Sequence, residues 1–268
     1  MASIGIVGGG GKLPIIFSDS ARQKGDKVVG IGLRGLTDPA LEAHVDKFIW
    51  IDPGAIQKTI LSVVAERINK IALLGKIDKG LFLRDDTSLD ADVRVFAGKA
   101  LGDMKDYSML NKAASFLSKF GIEIIDPTPY ISFLIPQKGA LTARKTDPEE
   151  AEDINYGFRI AKDLARFDIG QAVALKKKTV LALEAAEGTD DVITRAGKIS
   201  KKGFVLVKVA RPDQDMRFDV PSVGLETVHL LAKAGGTALA LESGRTFLLD
   251  RDEVIKFANE KNIAIEVI

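Results

Sequence analysis

The stretch IGIVGGGGKLP, residues 4–14, carries an apolar, β-rich run into four consecutive glycines and then into Lys12, Leu13 and Pro14. Pro14 suits the first turn of a helix, where a missing N–H costs nothing, so a helix is expected to follow through Arg22. The reading is strand, glycine turn, helix. Four side chains in a row are given up either to let a tight turn pack or to bring backbone N–H groups against a phosphate, where the positive end of a helix dipole also lies. The stretch alone leaves both open.

Working outward, the same alternation repeats. KVVGIGL (27–33) reads as a second strand and KIALLG (70–75) as a third, while IQKTILSVVAERI (56–68) has the helical spacing of Ile60, Val63, Val64 and Ile68. A longer helical stretch is expected over 90–120, and IEIID (122–126) is a strand stopped by Pro127. Strands alternating with helices predict a parallel, doubly wound sheet.

A break follows in PTPYISFLIPQKGALTARKTDPEE (127–150), which ends on the helix-start signature Asp147, Pro148, Glu149, Glu150. Beyond it a helix is expected over 149–167. QAVALKKKTVLALEA (171–185) reads as a hairpin whose arms meet at Lys176, Lys177 and Lys178. Further strands are expected at 203–210, 237–242, 246–250 and 263–268, with helices near 222–234 and 251–261. The fold class is therefore α/β, with an N-terminal Rossmann-like parallel-sheet domain and a second α/β domain containing a hairpin. The boundaries expected are 1–135 for the first domain, 136–147 for a linker and 148–268 for the second.

The composition excludes several function classes. Hydrophobic residues at 46% and charged residues at 28% of 268 describe a globular chain and not a disordered one. With 38 Lys plus Arg against 37 Asp plus Glu, no bulk basic field argues for nucleic acid. The absence of cysteine removes disulfides, Cys-ligated metals and thiol nucleophiles. No apolar run approaches the ~20 residues that span a bilayer, and no basic leader with an apolar stretch opens the chain, so a soluble, unexported, cytoplasmic protein is expected. The two histidines, His44 and His229, lie outside the Gly-rich and carboxylate-rich loops. A Ser-His-Asp triad or a His-based zinc site therefore has little support.

Three stretches can carry chemistry. In the glycine turn, Gly8, Gly9, Gly10, Gly11 and Lys12 match a dinucleotide fingerprint only in part, because Leu13 fills the place of its third glycine. GIGLRG (30–35) offers Arg34 where a ribose-binding acid would close the second strand, which weakens NAD and leaves NADP open. A P-loop fails because Leu13 follows Lys12. The second stretch, KVARPDQDMRFDVPSVGLETV (208–228), lies at a strand end, where α/β sites gather. It holds Lys208, Arg211, Gln214, Asp215, Arg217 and Asp219. An extended backbone over 215–219 would put Asp215, Arg217 and Asp219 on one face, a set able to hold a hard cation and neutralise phosphoryl charge. A solvated ion-pair loop is the alternative. The third, LEAAEGTDDVITRAGKIS (183–200), sets Glu184, Glu187 and Asp190 beside Gly188 and Thr189. Here Thr189 or Asp190 is either a helix N-cap with its first-turn acids or part of the acidic cluster.

Taken in order, GGGGKLP, LLGKI (73–77), LGD (101–103), DIGQAVAL (168–175), EGTD (187–190), VKVARPDQDMRFDVPSVGLETV (207–228) and LESGRTFLLDR (241–251) resemble the bacterial UDP-2,3-diacylglucosamine pyrophosphatases of the LpxI type. The resemblance covers nearly the whole chain, and its most specific part runs from Gln214 to Pro221. It implies hydrolysis of the diphosphate of UDP-2,3-diacylglucosamine to UMP and lipid X in lipid A biosynthesis, assisted by magnesium and without a redox cofactor. It also implies a nucleotide-binding first domain and a catalytic second one.

The implied catalytic residues are Asp215, Asp219, Arg217 and Lys208. Substrate contacts fall to Gly8, Gly9, Gly10, Gly11, Lys12, Lys76, Thr189, Gln214 and Arg211. Asp215, Asp219 and Asp190 are the candidate ligands for Mg2+ or Mn2+, since a chain poor in histidine and free of cysteine offers oxygen donors. The partners expected are the lipid-linked UDP-sugar, a peripheral contact with the inner membrane and a second copy of the chain as a homodimer. YISFLI (130–135) is either a wall for the acyl chains or ordinary core. An NADP-dependent oxidoreductase and a non-catalytic nucleotide-sugar binder are the two rival readings.

Overall fold

The computed structural model describes residues 3–52, 56–75, 114–115 and 117–268. Lys76, the LGD motif and most of the expected 90–120 helix lie outside the described residues. The chain divides into two compact units, one of Met1–Ser132 with Asp215–Asp219, the other of Phe133–Gln214 with Val220–Ile268.

The first unit is built on a five-stranded sheet in the order β3-β2-β1-β4-β5, with every neighbouring pair parallel. Its strands are β1 (Ser3–Gly8), β2 (Lys27–Leu33), β3 (Lys47–Ile51), β4 (Lys70–Leu74) and β5 (Glu123–Ile124). This is the Rossmann order, with the reversal at β1/β4. Helix α1 (Leu13–Gln23) starts with Pro14 in its first positions, as the sequence predicts, and α2 (Ile56–Ala65) follows β3. The central strands are continuous apolar runs because both faces are covered, and Val29, Ile31, Ile51, Ile68 and Ile71 form a common core. β3 was not expected from the sequence: it is an edge strand whose Lys47–Trp50 stretch stays partly exposed, so its apolar signal is weak. His44 sits at the surface against Asp19 at 2.8 Å. In the 130–135 stretch, Ile131 and Leu134 are buried and Phe133 is exposed.

The second unit holds a six-stranded mixed sheet in the order β6-β13-β11-β9-β7-β8. Its strands are β6 (Gly139–Ala140), β7 (Ala172–Lys176), β8 (Thr179–Leu183), β9 (Phe204–Lys208), β11 (Gly236–Leu241) and β13 (Ala264–Val267). A small separate ladder pairs β10 (Ser222–Val223) with β12 (Phe247–Leu248). The helices are α3 (Pro148–Arg166), α4 (Thr189–Ser200), α5 (Leu225–Ala234) and α6 (Arg251–Glu260). Strand alternation splits the core in two. Phe204 and Leu206 of β9 face the layer of α4, α5 and α6, whereas Val205 and Val207 face α3 through Ile154, Ala161 and Ala165. His229 stacks on Phe257 with ring centroids 3.9 Å apart.

Two local devices fix α3 and the hairpin. Asp147 and Glu150 form a reciprocal capping box at the start of α3, as their spacing predicts. At the β7–β8 turn, Lys177 and Lys178 adopt left-handed backbone (φ 51° and 56°), the conformation of a two-residue hairpin turn. Their N–H groups both donate to the buried carboxylate of Asp153, at 2.8 and 2.6 Å. Asp153→Ala strands both donors, so an unfolding titration is expected to show a loss of about 1–3 kcal/mol. Parent-like stability would mean that water replaces the carboxylate without cost.

Candidate functional site

The glycine turn is a packing device at two of its positions. A Cβ on Gly8 would lie 2.9 Å from the Leu41 side chain, and the Gly9 N–H donates to the Leu74 carbonyl at 2.7 Å. Gly75, at the end of β4, completes the fit. It has φ +95°, and a Cβ there would lie 2.8 Å from the Gly10 carbonyl oxygen and 2.9 Å from Gly9 N. Only a glycine lets the two backbones approach this closely. Gly11 has φ +89° and opens onto free space, and Lys12 is exposed at the N-cap of α1. A ligand reaching this turn would therefore find the Gly9 N–H already engaged. Arg34 lies 3.2 Å from Asp52.

In the second unit the chemistry gathers where β9 and β11 end. Lys208, the last residue of β9, donates from Nζ to the Thr189 hydroxyl at 2.8 Å, and Thr189 Oγ1 lies 2.7 Å from Glu184 Oε1. The direction of these bonds follows from chemistry: an ammonium has only donors, so the hydroxyl accepts from Lys208 and gives its own proton to Glu184. Glu184 is buried, and its other oxygen accepts the Gln171 N–H at 2.8 Å. Gly170 makes room for this arrangement, since a Cβ there would lie 2.2 Å from the Glu184 carbonyl oxygen. Thr189 is thus not the N-cap of α4. That position falls to Gly188, and the hydroxyl is directed sideways to Lys208 and Glu184. Asp190 is exposed in the first turn of α4, where the helix dipole favours it.

Past β9 the chain holds Arg211, buried, with Nε 2.8 Å and Nη2 2.6 Å from Asp168 Oδ1. Asp168 follows the C-cap Phe167 of α3 in left-handed backbone (φ 57°), a conformation Asp tolerates. Gln214 bonds back to Arg211: its N–H donates to the Arg211 carbonyl at 3.2 Å, and its Oε1 lies 3.4 Å from Arg211 N. Lys208 and Arg211 consequently differ in kind. The charge of Arg211 is offset by a direct carboxylate partner, whereas Lys208 is tethered by a neutral hydroxyl.

The segment 215–219 departs from the expected extended form. Asp215 accepts the Arg217 N–H on its side chain at 3.0 Å, and its carbonyl accepts the Phe218 N–H at 3.0 Å, so the chain turns there. The physical reason is that an aspartate side chain captures the N–H two residues on and stabilises a turn against a strand. The pairing survives the change of backbone. Arg217 Nε lies 3.0 Å from both Asp215 oxygens and its Nη2 lies 2.6 Å from Oδ2, a two-pronged contact. Asp219 has φ +41°.

The Arg217 guanidinium holds the Asp215 carboxyl below its ordinary value, against an opposing push from partial burial. A lowered value makes Asp215 a weak base, suited to holding charge more than to accepting a proton. By linkage, the stability it contributes is complete above the unfolded value of ~3.9 and is lost as pH falls through its lowered folded value. A carboxyl-detected NMR titration is expected to place its midpoint below ~3.9. A midpoint at or above that value would mean that the Arg217 contact is not populated.

Among the described residues, contacts join Lys208 with Thr189, Arg211 with Gln214, and Asp215 with Arg217. Among the described residues no group of three or more His, Asp or Glu stands ready to hold a metal ion. Sequence reasoning did not single out Asp168, Lys162, Glu242 or Arg245, which surround this loop. Asp168 and Arg245 had a signal in DIGQ (168–171) and LESGR (241–245), where charged residues flank apolar strands, whereas the pairing of Lys162 with Glu242 had none.

Strand order, mixed second sheet and strand-end loop define a two-unit α/β protein with a Rossmann-like first half. The comparisons give the family: residues 3–134 match the LpxI N-terminal domain and residues 137–266 the LpxI C-terminal domain. The chain belongs to the LpxI family. It is 27% identical over 277 residues to the UDP-2,3-diacylglucosamine pyrophosphatase LpxI of Caulobacter vibrioides, with 99% of this chain and 97% of that protein covered. Among solved structures, phosphoribosylglycinamide synthetase from Anaerococcus prevotii matches at 15% identity and a TM-score of 0.27, over 65% of this chain and 47% of that one. N5-carboxyaminoimidazole synthetase from Staphylococcus aureus matches at 15% identity and a TM-score of 0.25, over 65% of this chain and 38% of that one. The chain therefore spans less than half of these two structures.

Proposed function

We propose that this chain hydrolyses the diphosphate bond of UDP-2,3-diacylglucosamine, releasing UMP and 2,3-diacylglucosamine 1-phosphate (lipid X) in lipid A biosynthesis. Family membership and the full-length similarity to the Caulobacter pyrophosphatase support the reading. The observation that carries it in the structure is the Glu184–Thr189–Lys208 chain, which presents a cation at the end of β9, nine residues or fewer from Arg211, Asp215 and Arg217. Negative charge grows on the departing phosphate during hydrolysis, and fixed cations lower that barrier most when they need no rearrangement.

In this reading Lys208, Arg211 and Arg217 stabilise phosphoryl charge, Asp215 and Asp219 orient the attacking water, and Gln214 and Thr189 contact substrate. Gly8, Gly9, Gly10, Gly11, Lys12 and Lys76 bind the nucleotide in the first domain, and residues 148–268 form the catalytic domain. Asp215 and Asp219 would hold Mg2+ or Mn2+ together with the substrate phosphates, whereas Asp190, exposed in the first turn of α4, forms no three-carboxylate group with them, which removes it from the expected ligand set. The hard oxygen donors of Asp215 and Asp219 fit such an ion, which commonly takes one or two carboxylates and completes its shell with substrate phosphates and water. When bound, the ion would neutralise phosphoryl charge. Chelation is expected to abolish turnover and added magnesium to restore it; full turnover in excess chelator would remove the metal from the proposal.

The reading extends to a cytoplasmic enzyme, working as a homodimer, that touches the membrane reversibly through exposed side chains. No helix of the described residues is long and apolar enough to cross a bilayer, and Phe167 and Ile169, on either side of Asp168, are exposed. The deciding experiment supplies the purified chain with UDP-2,3-diacylglucosamine and follows UMP. Stoichiometric UMP and lipid X support the proposal. Saturable UDP binding without product would leave a nucleotide-sugar binder, and saturable NADPH binding without UMP an oxidoreductase.

A further inference from the structure

Ala210 lies between the two cations of the β9 strand end, and both of its main-chain polar groups are held by side chains from elsewhere in the second unit. Its N–H donates to Glu242 Oε2 at 2.7 Å, and its carbonyl accepts from Lys162 Nζ at 2.8 Å. Lys162 comes from α3 and Glu242 from the residue after β11. They also pair with each other, Nζ lying 2.9 and 3.1 Å from the two carboxylate oxygens. The side chains are only 18% and 13% exposed. The Glu242 N–H donates to the Lys208 carbonyl at 3.2 Å, and Arg245 Nη1 lies 2.6 Å from the Pro212 carbonyl oxygen.

A largely buried ion pair is weak evidence for stability, because desolvation offsets most of its attraction. This one does something an apolar pair cannot. It satisfies a donor and an acceptor of one residue with groups of opposite charge, and so fixes the rotation of the backbone from which Lys208 and Arg211 project. We propose that Lys162 and Glu242 are positioning residues for the reaction, a clamp on Ala210 that holds Lys208 and Arg211 in register with the phosphoryl groups. The proposal rests on the hydrolase reading given above.

The test separates positioning from mere stability by measuring kcat, KM and melting temperature for Lys162→Met, Glu242→Gln, Glu242→Leu and the exchanged double variant Lys162→Glu/Glu242→Lys. Misplacement of a group by about 1 Å can cost 10²-fold, so Lys162→Met and Glu242→Leu are expected to lower kcat by about 10- to 100-fold with little change in KM. Glu242→Gln keeps an acceptor for the Ala210 N–H and should stay closer to the parent than Glu242→Leu. The exchanged pair restores the charge attraction but turns an ammonium toward the N–H and a carboxylate toward the carbonyl. It should not recover kcat, and it should melt below the parent because both main-chain groups of Ala210 lose their partners.

Recovery of kcat by the exchange, or parent kcat in Lys162→Met, would overturn the clamp. Should Lys162→Met or the exchange fail to fold, the ordering of Glu242→Gln above Glu242→Leu in kcat carries the decision, and equal rates would overturn it. A parent that releases no UMP would instead refute the hydrolase reading.

Discussion

Asp215→Ala is expected to lower the turnover of UDP-2,3-diacylglucosamine by on the order of 10³-fold while the protein stays folded and still binds UDP. The magnitude follows from what the carboxylate does. It is held ionised by the two-pronged Arg217 contact, and its loss removes a fixed charge and releases a guanidinium at the same time. The stability cost is small by comparison, about 1 kcal/mol or less, because the pair is partly exposed to solvent. Asp219 calls for a different variant. Its backbone is left-handed (φ +41°), a conformation Asn tolerates and Ala does not, so Asp219→Asn removes the charge without straining the chain. A comparable loss of kcat is expected. If both variants turn over at the parent rate with magnesium present, the 208–219 loop is not the catalytic centre.

Thr189→Val carries the second large effect, an expected loss of about 10- to 100-fold in kcat/KM. Valine has nearly the shape of threonine but lacks the hydroxyl that accepts from Lys208 and donates to Glu184, so the ammonium loses its tether and a buried carboxylate loses a donor. Thr189→Ser keeps the hydroxyl and should recover most of the activity. The pair of variants distinguishes function from packing. If the methyl group matters and the hydroxyl does not, Thr189→Ser will be the impaired protein and Thr189→Val the active one.

The parts of this structure that were legible in the sequence are those governed by local rules. Buried parallel strands must be continuous apolar runs, which makes SIGIVG and KVVGIGL readable. Pro14 and the Asp147–Glu150 pair mark helix starts by chemistry confined to one turn. Lys177 and Lys178 sit between two β-rich arms, so a hairpin is visible even though neither residue is a usual turn former.

The failures share a different cause. An alternating charge pattern over 215–219 predicts a strand only if the backbone is extended, and the Asp215 side chain supplies a competing turn bond. Thr189 after glycine looks like a cap until the fold brings Glu184 and Lys208 to its hydroxyl. Lys162 and Glu242 are 80 residues apart and meet only because α3 packs on β9, the strand beside β11, so neither local stretch announces the pair. The glycine turn also carries a constraint from far away, for its close packing depends on Gly75 at the end of another strand.

In the proposed reaction this chain cleaves a diphosphate by attack of water. Running the reaction to completion in ¹⁸O-enriched water and weighing both products tests it most directly, because hydrolysis adds one solvent oxygen to one phosphorus and none to the other. Hydrolysis should give UMP and the diacylated sugar phosphate in equal amounts, with a single ¹⁸O in one of them and none in its partner. Intact substrate after prolonged incubation of folded protein with magnesium, or cleavage that leaves both products unlabelled, would contradict it.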